Sequence, residues 1–120
     1  MFDGLSKLRY LYLSQNIINN IDADAFSPLR QLHTLDLRKN QITGLKFKYF
    51  VNQKEFRKLD IRENPLQCSC QLYSVFKKLE ESLPWQFIVF PGKCDKDVDL
   101  HRLVYTTPKI KARKQMGCYE

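Results

Sequence analysis

Four cysteines, two histidines and a cluster of cations are the side chains of this 120-residue sequence with the most chemistry in them. Cys68, Cys70, Cys94 and Cys118 are spaced as C-x-C followed by two equal, much longer intervals, one before Cys94 and one before Cys118. A C-x-C pair is too tight to close a relaxed disulfide on itself. Tetrahedral zinc favours C-x₂₋₄-C pairs, so a four-cysteine metal site fits poorly. Reduced structural thiols are a second alternative, and disulfides to distant partners are the reading the even count favours; four cysteines allow three connectivities, and the residues alone do not choose among them. His33 and His101 fall in no nucleophile or metal motif, Glu80-Glu81 reads as a solvated helix face, and no glycine-rich phosphate loop exists. The expectation is therefore a protein that is not an enzyme and needs no cofactor. Lys109-x-Lys111-x-Arg113-Lys114 is a dense run of cations, either a solvated segment or a polyanion-binding one.

What must position these residues is a chain of one-domain size with the balance of a folded protein, 43% hydrophobic and 28% charged. The net charge of +7 is spread over both halves: 11 Lys/Arg against 7 Asp/Glu in residues 1–64, and 9 against 6 in residues 65–120. This leaves room for acidic partners but gives no dedicated basic arm, and nucleic acid is not expected. No apolar run reaches the length of a membrane span. The first residues, Met1-Phe2-Asp3-Gly4, lack the basic and apolar regions of a signal peptide.

The first half repeats itself. Leu8-x-x-Leu11-x-Leu13-x-x-Asn16-x-Ile18 recurs as Leu32, Leu35, Leu37, Asn40 and Ile42, and again as Phe56, Leu59, Ile61, Asn64 and Leu66. Every matching position is displaced by the same amount, the interval from Leu11 to Leu35 and from Leu35 to Leu59. Between the motifs, Ile21, Phe26 and Leu29 correspond to Leu45, Phe50 and Gln53, of which only the glutamine breaks the apolar pattern. Phe2 and Leu5 stand one period before Phe26 and Leu29. Three in-register copies of LxxLxLxxN at this period are the signature of leucine-rich repeats. The fold class expected is α/β: a solenoid of short parallel strands whose leucines face inward and stack into one core. Asn16, Asn40 and Asn64 sit where the chain leaves each strand, placed to satisfy backbone groups of the turn. Phe26 and Phe50 are expected to close the convex side.

The alternation puts Tyr10, Tyr12 and Ser14, then Thr34, Asp36 and Arg38, then Lys58, Asp60 and Arg62 on the opposite, concave face. Stacking aligns them in columns, Tyr10–Thr34–Lys58, Tyr12–Asp36–Asp60 and Ser14–Arg38–Arg62. Paired tyrosines suit a protein interface. The aspartate column beside the arginine column reads either as a docking face or as mutual neutralisation with no partner.

The period stops at Asn64-Pro65-Leu66-Gln67-Cys68-Ser69-Cys70. Here the chain resembles extracellular leucine-rich repeat proteins with a cysteine-rich C-terminal cap, the family of Toll-like receptors, Slit, the Nogo receptor and the antigen receptors of jawless vertebrates. The resemblance implies repeats over 1–64 and a cap over 65–120, with Cys68–Cys94 and Cys70–Cys118 disulfides. It implies an extracellular recognition module, the C-terminal part of a receptor ectodomain or secreted binding protein, with a protein ligand on the concave face. The alternative is a matrix or adhesion component that binds glycosaminoglycan through Lys109, Lys111, Arg113 and Lys114. Members usually begin with an N-terminal cap, so the expectation here is a fragment with Leu5, Leu8 and Leu11 partly exposed, and either further repeats upstream or a marginally stable end.

Within the expected cap, Leu72, Val75, Phe76, Leu79 and Leu83 mark one face of a helix over 71–83, ended by Pro84. Trp85–Phe90 reads as an extended segment turned by Pro91-Gly92. Cys94 to Cys118 reads as loop-rich and too polar for a core of its own.

Overall fold

Two LxL segments and one LxI, one per repeat, become three stacked strands in a computed structural model of the chain, which describes residues 4–22, 24–50, 53–82, 88–95, 97–105 and 107–118. Strand β1 (Tyr10–Tyr12) pairs in parallel with β2 (Thr34–Asp36), and β2 with β3 (Lys58–Asp60), at the register of the repeat: Leu11 faces Leu35, and Leu35 faces Leu59. The strands are short because each must turn back within one repeat. Their leucines point to one side, where Leu35, Leu59, Leu32, Phe56 and Ile61 have no exposed surface. Burying each such side chain contributes about 1.5–3 kcal/mol. On the convex side Phe26, Phe50 and Phe56 form a ladder of near-parallel rings, with centroids 6.3 and 5.3 Å apart.

The asparagines close each turn. The Asn40 amide donates to the carbonyls of Leu13, Leu37 and Arg38, and its oxygen accepts the Ile18 amide. Asn64 repeats the pattern one unit on, donating to Leu37 and Ile61 and accepting from Ile42. Each of these two therefore ties its own turn to the previous repeat. Asn16 is exposed and bonds only Leu13 and Ser14 of its own turn. The residues just before them, Gln15, Lys39 and Glu63, hold φ of 60°, 56° and 61°, the left-handed geometry the turn needs.

Gln53, which breaks the apolar pattern, is nonetheless buried, and its amide donates to the Phe26 carbonyl one repeat back. A polar residue thus takes in the second repeat the place of the apolar Leu29 in the first; a backbone acceptor satisfies its amide nitrogen, while its Oε1 is buried without a partner among the described residues.

Helix α1 (Cys70–Ser82) starts at the C-x-C pair. Ser69, the residue between the cysteines, caps it by accepting the Leu72 amide on its hydroxyl. Cys68 thus lies outside the helix and Cys70 in its first turn, so the two thiols diverge. Cys68 bonds Cys94 and Cys70 bonds Cys118. Leu72, Val75, Phe76 and Leu79 are buried as the helical spacing requires, joined by Tyr73. Leu83, Pro84 and Trp85–Phe87 lie outside the described residues, as does Phe2.

The C-terminal segment carries more structure than the sequence reading assigned. Ile88–Phe90 is extended as expected, and it also forms β4, parallel to β3, with Val89 facing Leu59. A segment set further along the chain than one repeat period thus completes a four-stranded sheet. The residues after Cys94, expected to be loop-rich, hold two short helices as well. A small antiparallel pair, β5 (Lys93–Cys94) and β6 (Val98–Asp99), leads into helices α2 (Leu100–Tyr105) and α3 (Lys109–Gln115). Leu100, Leu103, Val104, Ala112 and Met116 are buried. These helices are too short to show a periodicity, and they add their few apolar residues to a core already formed by the repeats and α1. Asp99 caps α2 by accepting the Arg102 amide. Among the described residues no helix is long and apolar enough to cross a membrane.

Candidate functional site: the concave face of the sheet

The solvent side of the four strands carries the columns expected from alternation, two of them extended by a fourth member. Tyr10, Thr34 and Lys58 are continued by Ile88, and Tyr12, Asp36 and Asp60 by Phe90. Sequence reasoning missed Ile88 and Phe90 because the link from β3 to β4 does not keep the repeat period. The available signal was the Ile-Val-Phe alternation next to Pro91-Gly92.

The columns are not equally accessible. Tyr12 is 64% exposed, Ile88 52% and Tyr10 47%, whereas Thr34, Asp36 and Asp60 are 6%, 6% and 5% exposed. The three buried members correct the reading of a uniformly outward face: neighbouring strands and long side chains cover the short ones. Thr34 is satisfied by His33, whose ring nitrogen Nδ1 lies 2.8 Å from the Thr34 hydroxyl and whose ring packs 5.4 Å from that of Tyr10. Arg9 lies over the other part of this edge, 5.6 Å from the Tyr10 ring centroid.

The arginine and aspartate columns meet in a forked array. Arg38 donates from Nε to Asp36 Oδ1 at 3.0 Å and from Nη2 to Oδ2 at 2.8 Å. Arg62 grips Asp60 in the same way at 2.9 and 2.7 Å. The backbone amide of each arginine also donates to its aspartate, and Arg38 Nε lies 3.6 Å from Asp60, linking the two pairs. The Arg38 hydrogen bonds hold the Asp36 carboxyl below the usual carboxylate range, against the upward push of its burial. Both guanidinium groups are correspondingly raised by their aspartates. Mutual neutralisation is thus present, but it is one-sided in space: the carboxylates are buried while the arginine side chains keep 40% and 46% of their surface.

The C-terminal segment props Arg62 in place. Its guanidinium lies 4.8 Å from the Phe90 ring centroid, and Lys58 Nζ lies 5.5 Å from the same ring. Gly92, at φ +76°, packs against the Arg62 backbone so closely that a Cβ there would stand 3.1 Å from its Cα. Ser14, the first member of this column, is half-buried just past the end of β1.

The remaining candidates lie elsewhere. Lys109, Lys111 and Lys114 are exposed on α3 and Arg113 is half-buried, so the four cations are spread around the helix and not aligned on one stripe. His101 packs against Tyr105 on α2, far in sequence and setting from His33. Among the described residues no cluster of His, Cys, Asp or Glu has the makings of a metal site.

Comparison with known proteins agrees with this geometry. A leucine-rich repeat family model matches residues 1–42. No curated protein sequence matches the chain significantly. Among solved structures, a chain of the octameric complex of Latrophilin 3, Unc5D and the leucine-rich repeats of FLRT2 superposes over 87% of this chain, with TM-score 0.71 and 28% identity. Human 5T4, the Wnt-activated inhibitory factor 1 or trophoblast glycoprotein, superposes over 88% with TM-score 0.53 and 18% identity, a likeness of fold alone. The chain spans 34% and 47% of the lengths of these two.

Proposed function

From the premise that this is a leucine-rich repeat chain carrying two disulfides, we propose that it is an extracellular protein-recognition module that binds its ligand on the concave face. It acts as the C-terminal part of a receptor ectodomain or of a secreted binding protein, with residues 1–64 as repeats and 65–120 as their cap. The observation that carries this reading is the exposure of Tyr10, Tyr12 and Ile88 on a face already rich in fixed polar groups. Large apolar and amphipathic side chains left in water on a rigid sheet are the composition of interface hot spots. Two disulfides require an oxidising compartment, which supports the extracellular setting. The assembly of FLRT2 with Latrophilin 3 and Unc5D is a case of a structural relative working through protein partners.

The test is binding of the secreted, disulfide-bonded protein to intact cells and to purified cell-surface ectodomains. Tyr12→Asp and Ile88→Asp are expected to lower binding by tenfold or more, on the order of what loss of one hot spot does. Lys46→Glu, away from the sheet, is expected to leave it unchanged. Binding that survives both concave substitutions overturns the proposal. The second reading, glycosaminoglycan binding through Lys109, Lys111, Arg113 and Lys114, draws on the exposure of the three lysines and is weakened by their scatter around α3. Retention on heparin abolished by Lys111→Glu with Arg113→Glu supports it, and elution at low salt regardless of these changes removes it.

A further inference from the structure

We propose that Arg38 and Arg62 form a paired guanidinium receptor for a carboxylate-rich segment of a protein partner. This deepens the reading of the concave face and rests on it. Each arginine binds its aspartate through the Nε edge, using Nε–H and one Nη2 proton. Both Nη1 protons and the second Nη2 proton have no acceptor among the described residues, and guanidinium geometry offers them as a planar fork suited to a carboxylate.

Three physical features turn this pair toward an acidic ligand. First, the counter-charges are hidden. Asp36 and Asp60 are buried, so an approaching carboxylate meets guanidinium and not aspartate. Second, the forks are held in place before any ligand arrives. The aspartates fix both, and Phe90 with the Gly92 backbone fixes Arg62, so little side-chain entropy is left to lose on binding. Third, the stacking places the two arginines on neighbouring strand ends, roughly 4.8 Å apart across the sheet. One carboxylate can bridge both, or successive acidic residues can take one each. Lys58, on the far side of the aspartate column but beside the same Phe90 ring, adds a third cation. Tyr12, in register with Asp36, and Phe90, against Arg62, offer apolar contact to the residues between the partner's acids.

The experiment measures anisotropy of fluorescein-labelled hexaglutamate, with hexaglutamine as control, against the secreted protein at low and physiological salt. Hexaglutamate is expected to bind and weaken as salt rises, while hexaglutamine does not bind. Arg38→Lys or Arg62→Lys keeps the charge but loses the fork, and is expected to weaken binding roughly tenfold, as a lost bidentate pair does. The double changes Asp36→Asn with Arg38→Gln, and Asp60→Asn with Arg62→Gln, remove the guanidinium without stranding a buried carboxylate. Thermal melts confirm that they fold, and both are expected to abolish hexaglutamate binding. Lys111→Glu with Arg113→Glu is expected to change it less than twofold. Hexaglutamate binding that tolerates Arg→Lys, or that is lost only through α3, overturns the receptor. So does a site that takes heparin fragments and refuses hexaglutamate. A natural partner whose binding falls with Tyr12→Asp but survives both double variants sinks the guanidinium proposal alone. A partner indifferent to all of these sinks the concave-face reading with it.

Discussion

The first and last repeats are built from the same motif and meet different fates. At the β3 end, Leu59 and Ile61 have no exposed surface, Asn64 bonds across to the previous repeat, and β4, α1 and two disulfides lie beyond. At the β1 end, Leu8, Leu11 and Leu13 are only half-buried, Leu5 is 45% exposed, and Asn16 bonds nothing outside its own turn. A leucine in this motif is a core residue only when another layer stands on it. Stability in a stacked fold is a sum of layers and interfaces, so the gradient runs along the stack.

The contrast can be broken or sharpened in order of expected effect. Removing the longer disulfide with Cys70→Ala and Cys118→Ala opens a loop of sequence separation 48 and is expected to cost about 4 kcal/mol by chain entropy, read in denaturant melts. A loss confined to β1 would contradict the assignment of stability to the β3 end. Next, Phe50→Ala, in the middle of the ring ladder, is expected to cost about 3–5 kcal/mol, and a loss under about 1 kcal/mol would misplace it. Asn64→Ala is expected to cost about 2–3 kcal/mol because it strands buried backbone groups, while Asn16→Ala costs well under about 1 kcal/mol, since water replaces its bonds. Equal losses at the two positions would erase the gradient, as would equal hydrogen-exchange protection of Leu11 and Leu59 amides.

Acid should act on the middle of the sheet. The Asp36 carboxyl is held low, so its contribution is present above the unfolded pKa of about 3.9 and is lost as pH falls through the lower folded value. Melting temperature is therefore expected to drop below about pH 4, and less steeply in Asp36→Asn with Arg38→Gln. The smallest effect is a gain. Glu63→Gly relieves a left-handed φ of 61° and is expected to stabilise by about 0.5–1 kcal/mol; a loss would mean that the Glu63 side chain contributes more than its backbone geometry costs.

Much of this was legible in the residues, and for one reason: a repeat turns spacing into position. Leu35 and Leu59, Asn40 and Asn64, Phe26 and Phe50 land where a shift of one period puts them, because each layer is shaped by contacts with like neighbours. The diverging cysteines follow from the helix that begins between them, and the face carrying Tyr10 and Tyr12 follows from alternation. Tertiary structure decided what lies outside that translation. It brought Ile88–Phe90 into the sheet at a different offset, and it gathered two short helices whose apolar side chains had no periodicity to announce them. It also settled which of two adjacent charged columns faces water. Alternation assigns aspartate and arginine to the same face, but depth depends on side-chain length against neighbouring strands. The short carboxylates sink beneath the long guanidinium groups, and only the packed molecule shows that the face left over is cationic.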